Sequence, residues 1–425
     1  MKKIILILSV LFTPFVKSQE PCQEFLDKMA EKVEQNDIES AKIFMSGFVT
    51  CKEDILGNGH PMIKNLESIA YIREFDGDIA IALLKTEKYA LISKGLQQFI
   101  PLKYESVWGF SDGMSMVSLN GKWGYIDKTG KEIISPQYGF ASLEGNFKEG
   151  IAAAQLDGKW GFIDKAGNEI IPFRYDKTWN FKEGNAVVKL NGKWGLIDKS
   201  GNEIIPVQFD YVDNLNEGLA LVELNGKYGF MDRTGQKIVP VKYENADSFS
   251  EGFAPVKLNG KWGYIDKTGR EVISFKYEHA KNFHEGMAVA KLTGKWGYID
   301  NSGKEIIPFK YDDANGFYGE IVAVKLNGKW GYIDKTDRAI IPFKYDDTTG
   351  FHEGMAGVQL NGKWGYIDET GKEVIPIKYE NDQKYVFWNG VISVILNGKK
   401  FTINKKGECV RYCNNAPEGY PEARN

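Results

Sequence analysis

Eight aspartates stand at matching places along the chain: Asp127, Asp164, Asp198, Asp232, Asp266, Asp300, Asp334 and Asp368. Each closes a short stretch such as Lys-Trp-Gly-Tyr-Ile-Asp and opens one such as Lys-Thr-Gly. A carboxylate so placed could do acid–base work or bind calcium. An active site needs one constellation of groups rather than eight equal ones. Calcium loops gather several acids within a dozen residues, whereas here a lysine is often the next residue. An Asx-type turn remains, in which the carboxylate accepts nearby backbone N–H groups. The Tyr-Asp-Asp runs at 311–313 and 345–347 are carboxylate pairs, again repeated and again in turn context.

The aromatic series admits the same two readings. Trp123, Trp160, Trp194, Trp262, Trp296, Trp330 and Trp364 each precede a glycine, and Tyr228-Gly229 fills the one gap. Exposed, these rings could stack on sugars or on partner aromatics. Buried, they would pack the seam between copies, which is the usual reason for a residue to recur at one place in every unit. Aromatics that break the pattern are better binding candidates: Trp108, Trp179 and Trp388 stand where other copies carry smaller or polar residues. A binding surface competes there with edge packing. His284 and His352 share a variable slot, Phe-x-Glu-Gly, where other copies have Lys148, Lys182 and Ser250, so the slot reads as solvent-facing. No nucleophile elbow, phosphate loop or zinc spacing is present. No catalytic residue, cofactor or metal is expected.

Regular elements must hold these residues. The Trp-Gly positions step by 37 and then by 34 six times, the first step lengthened by extra residues within 135–149. A period of this regularity marks a tandem array. In each copy an apolar stretch leads to Asn-Gly, the strongest short hairpin signal because a type I′ turn needs positive φ at both central residues. The Trp-Gly strand follows, then a turn from Asp to Gly, then a third strand that the proline at positions such as Pro308 should end. A stretch such as Phe309–Ala314 is a short outer strand or a connector. Strict alternation puts Trp123, Tyr125 and Asp127 on one face, with Gly124 and Ile126 on the other. The bare glycine should be covered by a large neighbouring ring.

The unit Gly-x-Ala-x-Val-x-x-Asn-Gly-Lys-Trp-Gly-Tyr-Ile-Asp-x-x-Gly-x-x-Ile-Ile-Pro resembles the WG-repeat family, found mostly in bacterial proteins. The resemblance spans about three quarters of the chain, and it implies a β-repeat architecture with no catalytic residues to carry over. The expected fold is all-β, with meanders of three or four antiparallel strands about every 34 residues. An open curved array is favoured over a closed, propeller-like ring, because a worn copy at each end (78–105 and 390–408) suits a capped stack.

The array is expected over 76–408. Residues 19–75 show helical spacing at Phe25, Met29 and Val33 and read as a small helical N-terminal cap. Residues 409–425 read as a disordered polar tail. Residues 1–18 read as a signal peptide: Lys2 and Lys3, an apolar run from Ile4 to Phe12, then Val16 and Ser18 before Gln19. That run is too short to span a bilayer, and no transmembrane segment is expected in the mature chain. Four cysteines, Cys22, Cys51, Cys409 and Cys413, suit disulfides in an exported protein. Three pairings are open, with the local ones, Cys22–Cys51 and Cys409–Cys413, expected. A net charge of −3 argues against nucleic acid as a partner. The expectation is an exported, non-catalytic protein of a Gram-negative-type bacterial envelope, periplasmic, secreted or at the surface. Its partner is expected to be a protein, with glycan as the alternative. The mature chain should begin at Gln19. Intact mass of protein recovered from the producing cell would show this, and a retained Met1 would sink the signal-peptide reading.

Overall fold

A computed structural model describes residues 69–421, apart from 73–75, 78, 85, 94–98, 140–144, 318, 381–383, 389 and 418–419. The signal peptide, Cys22, Cys51, His60 and the expected helical cap up to residue 68 lie outside the described residues. Two compact units are present, one ending at Gln208 and one running from Phe209 to Ala423. The described residues form ten antiparallel sheets, each made of strands adjacent in sequence, and no α-helix. Eight sheets have four strands and the third and tenth have three. This is the form of a propeller blade.

The seventh sheet shows how the sequence builds one blade. His279–Ala280 is a two-residue edge strand; Met287–Leu292, Lys295–Asp300 and Glu305–Tyr311 follow in order. Thr293 and Gly294 between the inner strands have φ of 49° and 79°, as a type I′ turn requires. Each edge strand is supplied from the linker that leaves the preceding sheet: Asp313–Ala314, just past Tyr311, pairs with Ile321–Leu326 of the eighth sheet. The uncertain fourth element of the copy is therefore the first strand of its neighbour.

Both faces of the seventh sheet are buried within its unit. Val289, Tyr298, Ile307 and Tyr311 of the seventh sheet pack forward on Ala314, Phe317, Val322, Val324 and Ile333 of the eighth. Ala288, Ala290 and Ile299 pack backward on Tyr264, Ile273 and Tyr277 of the sixth. Alternation within Ala-Val-Ala and Gly-Tyr-Ile gives this directly: Val289 and Tyr298 face forward, and Ala288, Ala290 and Ile299 face back. The same division holds in the first unit, where Tyr125 packs forward and Ile126 backward. At several seams the forward tyrosine or phenylalanine meets the phenylalanine of the next copy's turn edge-on; in the fourth sheet Leu196 takes the place of the forward ring. Ring centroids lie 4.8 Å apart for Phe162–Phe181, 5.0 Å for Tyr298–Phe317 and 5.1 Å for Tyr366–Phe387. Such pairs contribute about 1 kcal/mol beyond their buried area.

Four expectations need correction. The proline does not end its strand. Glu305–Tyr311 runs through Pro308, and the ladder opens there: Trp296 pairs with Tyr311 but Tyr298 pairs with Ile307. Three residues, Pro308 to Lys310, thus oppose Gly297 alone, so the missing donor falls in a bulge on an outer strand, where proline is tolerated. The bulge also corrects the account of the glycine. A Cβ on Gly297 would sit 2.7 Å from the carbonyl oxygen of Ile307 and 2.9 Å from the nitrogen of Phe309, so the bulged backbone, not a ring, covers it. Next, the array begins before residue 76, because Ile69–Ile72 is a strand paired with Ile79–Leu84. Its four residues, Ile-Ala-Tyr-Ile, suit a strand and were counted with the helical segment. Finally, the tail is ordered through much of its length. Cys409–Arg411 pairs with Lys399–Asn404, Cys409 and Cys413 form a disulfide, and the Tyr420 ring packs edge-on to Phe401 at 4.9 Å. A disulfide and one aromatic anchor offset the low apolar content that suggested disorder.

The bulge predicts an asymmetry among glycines. Gly263→Ala places a Cβ 2.7 Å from the Ile273 carbonyl oxygen and should cost about 3 kcal/mol. Gly294→Ala meets no atom within 4 Å but keeps φ at 79°, and should cost about 1 kcal/mol. Urea midpoints of the two variants would rank them, and equal midpoints would refute the bulge as the reason for the glycine.

Candidate binding surface

The repeated aspartate closes its own turn. Asp300 Oδ1 accepts from the backbone N–H of Ser302 at 2.9 Å, that of Lys304 at 3.0 Å and the Ser302 hydroxyl at 2.6 Å. Asp127, Asp232, Asp266, Asp334 and Asp368 do the same with a threonine hydroxyl. Asp164 and Asp198 bond Asn168 and Asn202 instead. The Thr336 hydroxyl, aided by the backbone N–H groups of Arg338 and Thr336, holds the Asp334 carboxyl down to about 2. The other seven are lowered as well.

A second set of carboxylates, not singled out in the sequence, ties one sheet to the next. Each Phe-x-Glu-Gly turn puts a glutamate at positive φ, for example Glu251 at 54° beside Gly252 at 84°. Glutamate is disfavoured there, and its carboxylate offsets the cost by reaching the following sheet. Glu251 accepts from the N–H of Glu285 at 2.6 Å and of Gly286 at 2.9 Å. Glu217 takes the Gly252 N–H at 3.0 Å and pairs with Lys267 at 3.0 Å. Glu149 does likewise with Gly184 and Lys199 in the first unit. The acid after the buried tyrosine repeats the device at the other hairpin turn. Asp312 pairs with Lys295 at 2.6 Å and accepts the Gly328 N–H at 2.8 Å, and Asp346 and Glu380 match it. The partly exposed ion pairs contribute no more than about 1 kcal/mol each, but they set the register between blades. The signal was in the sequence as a Glu-Gly in nearly every copy, 34 residues from its partner.

The recurring aromatics lie at the seams. Trp160, Trp262, Trp330 and Trp364 are buried, and Trp123, Trp194, Trp296 and Tyr228 are half-buried. The tyrosine two places on is buried, and its hydroxyl reaches a carbonyl of the next sheet, as from Tyr264 to Lys281 at 2.7 Å and Tyr298 to Asn315 at 2.6 Å.

The three symmetry-breaking tryptophans have different fates. Trp108 and Trp179 are half-buried, each against the Trp-Gly tryptophan of its own sheet: Trp123 at 6.3 Å and Trp194 at 5.8 Å. Trp388 is 66% exposed and stacks on His352 at 5.4 Å, with ring planes 14° apart. His279, which the sequence did not single out, lies between Trp262 at 5.3 Å and Trp296 at 5.4 Å. Among the described residues, no group of three or more His, Cys, Asp or Glu side chains could hold a metal ion, and no helix is long and apolar enough to cross a membrane.

Nine consecutive stretches match one family model, described as "WG containing repeat": 89–123, 123–160, 160–194, 194–228, 228–262, 262–296, 296–330, 330–364 and 364–399. Comparison with curated proteins gives no match. Among solved structures, a eukaryotic initiation factor is 10% identical, covering 65% of this chain and 87% of its own at a TM-score of 0.38. BamB from Moraxella catarrhalis is 11% identical, covering 60% and 92% at 0.30. The computationally designed Ika8 protein is 14% identical, covering 64% and 95% at 0.30.

The lowered carboxylates set a direction for pH dependence. A carboxyl whose folded value lies below its unfolded one, about 3.9 for aspartate, stabilises the fold above that unfolded value. The contribution is lost as pH falls through the folded value. Melting temperature should therefore drop steadily from about pH 5 to about pH 2. A variant carrying Asp266→Asn, Asp300→Asn and Asp334→Asn should start lower and fall less steeply. Parallel curves would show that the turn carboxylates are not the groups titrating.

Proposed function

The chain belongs to the WG containing repeat family, and we propose that it is a non-catalytic binding or scaffold protein of a bacterial envelope, exported by the segment 1–18 and engaging a protein partner. One observation carries this reading: the recurring side chains that could do chemistry are occupied in holding the array. The turn aspartates bond their own turns, the Glu-Gly glutamates and the acids after the buried tyrosines bond the next sheet, and the tyrosine hydroxyls bond carbonyls. What varies from blade to blade is the residue after the turn phenylalanine, exposed as Lys148, His284 and Trp388 and half-buried as Ser250, and the outward residue of the edge strand, such as His279. A fixed frame with variable outward positions suits recognition of a macromolecule. Glycan binding is the second reading, and exposed Trp388 stacked on His352 is what favours it, since an indole face can carry a sugar ring.

The test is capture by the full mature chain, immobilised and exposed to the envelope fraction of the producing cells. One protein should be retained from it, released by competition with free chain and absent from a heat-denatured control. Retention on polysaccharide instead, abolished by Trp388→Ala or Trp179→Ala, would replace this reading with the glycan one.

A further inference from the structure

Some lysines of the repeat face a carboxylate, as Lys267 faces Glu217 and Lys295 faces Asp312. Others in the sixth and seventh sheets do not, and three of these lie together. Lys257, Lys281 and Lys291 have no carboxylate within ion-pairing distance among the described residues. The register explains why they meet. Lys257 and Lys291 occupy the same rung of neighbouring blades, paired across the hairpin with Trp262 and Trp296. His279 flanks Lys291 on the edge strand, and Lys281 lies two residues beyond it.

Two of these lysines and the histidine converge on one indole. The ammonium groups of Lys281 and Lys291 lie 5.5 and 5.8 Å from the Trp296 ring centre, and the His279 ring lies 5.4 Å from it. Burial, then Lys281, Lys257 and Lys291, push the His279 imidazole below its ordinary value, opposed by Asp247. Elsewhere in the second unit this rung carries an acid: Asp313 is the register partner of Lys325 in the eighth sheet, and Glu223 takes the lysine's place in the fifth. Here the edge strand offers histidine, so positive charge is left without a partner.

We propose that this cluster is a binding site for an acidic protein segment, whose carboxylates are held by Lys257, Lys281 and Lys291 beside the His279–Trp296 rings. The groups present favour that ligand over a sugar. Saccharide hydroxyls need acceptors as well as donors, and this site offers three ammonium donors with Asp247 as its facing acid. A carboxylate needs donors alone. The proposal rests on the protein-binding reading above and narrows it to a partner class.

The probe is an octamer of glutamate, titrated calorimetrically into the full mature chain, with an octamer of glutamine as the neutral control. Glutamate octamer should bind, glutamine octamer should not, and affinity should weaken as salt rises. The variant Lys257→Gln, Lys281→Gln, Lys291→Gln, with folding checked by circular dichroism, should lose about tenfold in affinity. Lys131→Gln, Lys304→Gln, Lys372→Gln makes the same change of net charge at exposed turn lysines and should stay within about twofold of the parent. No binding of glutamate octamer, or equal loss in both variants, overturns the proposal. Tighter binding of a heparin oligosaccharide, lost in the first variant, overturns it in favour of a sulfated saccharide. Partner capture that free glutamate octamer leaves undisturbed defeats this site but not the binding function. A glutamate octamer that binds when no envelope protein is captured defeats the binding function instead.

Discussion

No blade here can bury its apolar surface alone, and the rest of the architecture follows from that. Three consecutive residues of the strand before the hairpin, such as Ala288, Val289 and Ala290, are buried, which is possible only if both faces of the sheet are covered. Alternation then divides labour between the faces. Tyrosine projects forward, alanine receives the previous tyrosine, and the edge-on phenylalanine locks the pair. The glycine after each tryptophan belongs to the same constraint. It lets the third strand bulge over the second, and that bend carries the chain from Tyr311 to the edge of the following blade at Asp313.

Polar groups are fitted around this apolar scheme in layers. One carboxylate per copy closes a turn within the blade. Another from the Glu-Gly turn, and a third after the buried tyrosine, reach N–H groups and lysines of the neighbouring blade. Exposed pairs of this kind add little energy singly. Their effect is geometric, since each bond is satisfied only when the blades stand in one register.

Much of this was legible in the sequence because it is local chemistry. Asn-Gly announces a type I′ turn, and the observed φ values of Asn191 and Gly192, 50° and 82°, are those the turn demands. Asp followed three residues later by Gly announces the other. What could not be read was whatever depends on a partner far along the chain. Glu251 and Gly286 are 35 residues apart, and nothing local to either discloses the bond. Pro308 misled because a lost donor ends a flat strand but is harmless in a bulge, and the bulge follows from the glycine eleven residues earlier, whose role had been assigned to ring packing. Tyr420 seals the last sheet through one ring, a contact too small to lift the composition of an otherwise polar tail. Likewise the lysine cluster joins residues of two copies and shows only once the register sets Lys257 and Lys291 on matching rungs about His279 and brings Lys281 and Lys291 to one indole.

The edge strand that each linker lends to the next sheet changes what should be regarded as the inherited unit. The 34 residues from Trp296 to Trp330 contain the second half of one blade and the first half of the next. What is copied along the chain is therefore a joint rather than a blade. Duplication or loss of one such segment moves a complete seam, with its tyrosine, its phenylalanine and its glutamate together, and leaves two half-blades that fit each other. An array built from joints can change its length by whole steps without ever passing through an unmatched surface.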